Sequence, residues 1–179
     1  DPVEGLGAPQ LLSRIRKVLS IRNEDQCSTR EAVKKLEDVL RLNPGNSVSR
    51  TLLRHIEGTR YTERMLLFVL VFRYYHRDDD MVTWHDIDDY YSDDELDLIM
   101  GDLKNEDIAL QKRGVVEFTS DDGLVSKDFF HIKDSVKEEI FEDVCHWCGC
   151  YSYQCISLPN LRNHRLQKTK KVKAYPSRI

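Results

Sequence analysis

The stretch that most constrains this chain is "RMLLFVLVFRYYHR", Arg64 to Arg77. From Met65 to Phe72 every residue is apolar, so a helix built on it is greasy on all sides and must be surrounded by other elements. The run is too short to cross a bilayer, which takes about 20 residues. The expectation is a central helix, capped at Thr62, with the rest of the chain packed round it.

Three helices are expected before it. "PQLLSRIRKVLSI" places Leu11, Leu12, Ile15, Val18 and Leu19 on one stripe, with Arg14, Arg16 and Lys17 elsewhere. "STREAVKKLEDVLRLNPG" opens on a Ser28/Glu31 capping-box pattern, carries Val33, Leu36, Val39 and Leu40 on one face, and stops at Asn43-Pro44-Gly45. "SVSRTLLRHIEG" is a short third helix ending at Gly58.

The order after the central helix is different. "DDDMVT" offers a turn and a very short strand, and Thr83 can cap a brief helix burying Trp84, Ile87 and Tyr91. Ser92 and Glu95 form a second capping box, opening a helix that holds Leu96, Leu98, Ile99, Leu103, Ile108 and Leu110 and runs to Gly114. The strand "VVEF", the turn "TSDDG" and the return strand "DFFHI" follow, with His131 pointing away from Phe130 and Ile132. A last helix, "VKEEIFEDV", is capped by Asp134 or Ser135.

The fold class is therefore mainly α (α+β): a helical segment over 1–60, an acidic domain over 61–144 with a small β hairpin, and an irregular tail over 145–179. "LQKRGVVEFTSDDG" resembles the helix end and wing of winged helix-turn-helix domains. "RMLLFVLVFRYYHRDDDMVTWHDI" and "LKNEDIALQKRGVVEF" resemble the region that precedes the ATPase domain in some bacterial AAA+ ATPases. That resemblance implies a non-catalytic accessory module, with any ATPase domain elsewhere. No G-x-x-x-x-G-K-[ST] loop occurs in the chain, and no H-E-x-x-H or nucleophile pattern accompanies the scattered histidines, so no enzyme activity is expected.

Charge is sharply segregated. The net charge of −4 combines +3 over 1–60, −14 over 61–144 and +7 over 145–179, where no acid occurs. A helix with Asp93, Asp94, Glu95 and Asp97 at its start would repel phosphate, whereas duplex binding rests on Lys and Arg. The acidic domain is thus expected to bind protein, with a basic partner suited to a face comprising Asp93, Asp94, Asp97 and Lys104. A transcription regulator contacting DNA through the basic tail and helical segment is the alternative. Asp86 and Asp88 are spaced like the start of an EF-hand loop, but Tyr91 stands where glycine is needed, so a solvated acidic face is expected.

The tail holds "CHWCGCYSYQC". Cys145 and Cys148 have knuckle spacing, and Cys150, Cys155, His146 and His164 could complete a zinc site, which makes a small zinc-binding protein a third reading. No common zinc template is completed, so no metal or other cofactor is expected. The abrupt change in residue usage after Val144 also fits an out-of-frame or unrelated extension, or a genuine basic tail. With no secretory leader or membrane span in the sequence, a cytoplasmic location is expected.

Overall fold

The computed structural model describes residues 3–121 and 124–144. They form a mainly helical structure with a small antiparallel ribbon: α1 (Ala8–Asn23), α2 (Thr29–Arg41), α3 (Ser47–Ile56), α4 (Tyr61–Arg77), two single-turn 3-10 segments, α5 (Asp93–Lys104), α6 (Ala109–Lys112), β1 (Val116–Asp121), β2 (Leu124–Ile132) and α7 (Asp134–Ile140).

Helix α4 is the hub. Every residue from Met65 to Phe72 is buried. Helices α1, α2 and α5 and strand β2 all pack on it, which satisfies each side of an all-apolar helix. Its last turns leave the core, and Tyr74 and Tyr75 meet Phe141 just after α7, with ring centroids 5.1 and 6.0 Å apart. Buried apolar residues before and after Arg60 belong to one contiguous core.

Local chemistry explains most helix starts. Ser28 and Ser92 cap α2 and α5, and Glu31 and Glu95 reach back to the cap N–H groups at 2.8 and 3.0 Å. Helix α4 begins one residue before the expected Thr62 cap. Its first turn is closed instead by Glu63, whose Oε2 accepts the Arg60 backbone N–H at 3.2 Å. Thr62 is buried, and its carbonyl accepts the Tyr91 hydroxyl at 2.8 Å. Helix α7 starts at Asp134, with Lys133 rather than Asp134 or Ser135 in the cap position and no side-chain hydrogen bond at that cap.

One expected helix is two. The segment opened by Ser92 stops at Lys104, and α6 begins afresh at Ala109. The break is a Schellman turn: the Glu106 N–H bonds to the Leu103 carbonyl and the Asp107 N–H to the Asp102 carbonyl, with Glu106 left-handed at φ 57. Leu98, expected on the apolar face, is 51% exposed.

The ribbon is longer than expected because its outer half needs no core. Val116 pairs with Ile132 and Phe118 with Phe130. The register then shifts, so that Thr119 pairs with Ser126, and Leu124 and Val125 project into solvent. The very short strand expected after the central helix is a single bridge between Val82 and Phe130.

Candidate interaction face and groove

The expected face divides in two. Asp93, Asp94 and Asp97 sit on the first turns of α5, all exposed and, among the described residues, without an ion pair or side-chain hydrogen bond. Lys104 lies on the last turn of the same helix, roughly 10–16 Å away along the axis. Its ammonium stands 5.6 Å from the Trp84 ring, and its carbonyl accepts the Lys127 ammonium at 2.7 Å. The structure therefore groups the three aspartates and leaves Lys104 with the ribbon.

Glu95, between those aspartates in sequence, turns inward. Its Oε2 lies 2.5 Å from the Thr29 hydroxyl and its Oε1 accepts the Tyr61 hydroxyl at 2.8 Å, pinning α5 to α2 and α4. Burial alone would raise its pKa, but the hydrogen bonds from Thr29, Ser92 and Tyr61 hold it below the ordinary value. The helix thus uses two acids to dock, Glu95 and also Asp102, which takes the Arg60 guanidinium at 2.7 Å, and shows three to solvent.

The other acids are largely spoken for. Asp79 and Asp86 share the Arg73 guanidinium at 2.6 and 2.9 Å. His85 is fully at the surface, with Nδ1 3.1 Å from Asp88. Within the acid-rich stretch from Asp78 to Asp89, Asp79 and Asp86 thus fasten the segment after α4 to that helix through Arg73.

A second feature was not legible as a site. Lys137 is buried, with its ammonium against Asp80, 3.0 Å from Asp134 and 3.3 Å from His131 Nδ1, and 5.2 Å from the Tyr74 ring. His131 Nε2 lies 3.2 Å from Glu117. Asp80 is buried enough that desolvation would raise its pKa, yet His131 and Lys137 pull it below the ordinary carboxylate value. Asp80, His131 and Asp134 bring ligand atoms within 4.8 Å of one another, a spacing suited to a metal ion. The Lys137 ammonium already supplies a positive charge to both carboxylates, so the cluster is satisfied as a salt-bridge network. The sequence signal was half present: the two-residue strand repeat turned His131 away from the core, but nothing local pointed to Lys137 as its neighbour.

This network forms one end of an open groove of about 1020 Å³. One wall is β1 from Val116 to Thr119. Glu106, Gln111 and Lys112 come from the α5–α6 region, and Asp80, Met81 and Asp134 complete the lining. Met81 and Val125, which also line it, are 56% and 60% exposed. The zinc candidates Cys145, Cys148, Cys150, Cys155, His146 and His164 lie outside the described residues. No helix among the described residues is long and apolar enough to cross a membrane. Comparison with family models, curated proteins and solved structures gave no match to this chain.

Proposed function

We propose that this chain is a non-catalytic protein-interaction module whose acidic half recruits a basic protein partner, in the manner of the accessory region of an AAA+ ATPase. The observation that carries this reading is the division of labour on α5. Glu95 anchors the helix, while Asp93, Asp94 and Asp97 remain exposed and unpaired. Three neighbouring uncompensated acids create a local negative field that steers a cationic partner and speeds its encounter. They also compete poorly for nucleic acid. The element order from α4 onward, with Val82 bridging the ribbon, supports a winged-helix-like arrangement in which the expected DNA-reading helix has become a protein-facing one.

Binding kinetics of a lysine-rich peptide test this reading. Replacing Asp93, Asp94 and Asp97 together by Asn should slow association about tenfold at low salt, and the difference should vanish at high salt. Equal association rates for both proteins at low salt would refute it.

A further inference from the structure

Three features of α5 converge on its outward face. Asp94, Leu98 and Gly101 follow one another at four- and three-residue spacing, so they lie in one line along the helix, with Asp93 and Asp97 beside it. Asp93, Asp94 and Asp97 are exposed and, among the described residues, unpaired. Leu98 is 51% exposed. Gly101 is exposed as well, and a Cβ placed on it would meet no atom within 4 Å. Its backbone is ordinary α-helix, so neither its conformation nor the packing of the described residues asks for glycine. Glycine inside a helix costs stability against alanine, and its advantage at this position is that another backbone can come close. The helix dipole favours acids in the first turn, which accounts for Asp93 and Asp94 but not for Asp97, Leu98 or Gly101.

We propose that this face of α5 is a docking site for an amphipathic helix of a partner protein, with Lys or Arg at one end of its contact stripe and aliphatic residues at the other. The proposal deepens the acidic-module reading and rests on it. The partner helix would lie along α5 and seat its apolar residues against Leu98 and over the Gly101 notch, at the three- and four-residue spacing by which amphipathic helices are recognised. Its cations would reach Asp93, Asp94 and Asp97. The two ends of α5 set the polarity: three aspartates stand at its start, whereas the exposed Lys104 on its last turn repels a cation. The stripe from Asp93 to Gly101 is about 12 Å long, enough for two turns of a partner helix. Leu98 alone would be an ordinary exposed side chain. Beside a glycine without a use inside the fold and three free acids, it is the apolar centre of a patch with a polar rim.

The probes are two fluorescein-labelled, alanine-based helical peptides of identical composition, titrated by anisotropy against the full chain. One carries its Lys and Leu residues on a single face, with Lys toward one end. The other has the same residues scattered round the helix. The patterned peptide should bind tenfold or more tighter than the scattered one. Gly101→Leu fills the notch with a better helix former in open space, so it should melt at or above the parent's temperature yet lose that preference. Leu98→Ser should weaken binding of the patterned peptide several-fold, and joint replacement of Asp93, Asp94 and Asp97 by Asn should weaken both peptides. If the two peptides bind alike, or if the Gly101→Leu or Leu98→Ser protein keeps the full preference, helix docking is wrong although an acidic binding surface survives. If neither peptide binds, the docking site and the acidic-module reading both fail.

Discussion

Glu63 is a buried carboxylate on which two helix starts depend. Its Oε2 accepts the Arg60 N–H at the head of α4, and its Oε1 accepts the Ala109 N–H at the head of α6, at 2.8 Å. Removing it strands a part-buried donor, which costs about 1–3 kcal/mol. Glu63→Ala should therefore lower the melting temperature by several degrees, and Glu63→Gln by less, as read by calorimetry. Two histidines make stability depend on pH. Burial, then the nearby Arg54 and Arg113 charges, lowers the pKa of His55. Burial, then Arg16, lowers that of His76, against the opposing pull of the Leu12 carbonyl. Both shifts disfavour the protonated form in the folded state. Their stability is thus fully present above the ordinary value of 6.5 and is lost as pH falls below it, because the unfolded chain protonates first. Urea midpoints should drop between neutral pH and mild acid, and the double variant His55→Gln, His76→Gln should flatten that slope.

Helix α5 shows how one element can serve fold and function at once. Its inward carboxylate is structural, so Glu95→Ala should destabilise the protein and loosen α5 from α2, whereas neutralising Asp93, Asp94 and Asp97 should leave the melting temperature nearly unchanged. Thermal melts of the two variants side by side check this. The end of α5 was the least legible part of the chain. "KNEDIAL" contains neither glycine nor proline, and the signal it does carry is a break in the apolar stripe: Glu106 and Asp107 stand where the face of Ile99 and Leu103 would continue, and Ile108 comes five residues after Leu103. Only the left-handed Glu106 ends the helix, and glutamate gives no warning of that conformation. Because glycine adopts this conformation without strain, Glu106→Gly should raise stability by about 0.5–1 kcal/mol, measurable by denaturant unfolding. By contrast, Ser28–Glu31 and Ser92–Glu95 were readable, because a capping box is local chemistry within four residues.

Across the whole molecule, the all-apolar α4 dictated a surrounded helix, and the structure packs α1, α2, α5 and β2 round it. The segregation of charge was equally plain in the sequence. What composition could not divide was the acid population itself. Asp79, Asp80, Asp86 and Glu95 are consumed by Arg73, Lys137, Thr29 and Tyr61, partners distant in sequence or hidden by topology. Asp93, Asp94 and Asp97 remain exposed and unpaired, and the groove walls carry Glu106 and Glu117. That residue of exposed negative charge is the basis for assigning this surface to protein and not to nucleic acid. A titration of labelled duplex DNA with the chain ended at Val144, repeated across salt concentrations, tests it most directly. Non-specific DNA binders reach dissociation constants of about 10⁻⁴ to 10⁻⁶ M through counterion release, and a domain of net charge −14 over 61–144 has little of that to gain. No saturable binding at physiological salt is the predicted result; micromolar binding with a steep salt slope would contradict the protein-facing assignment and favour a DNA-binding regulator.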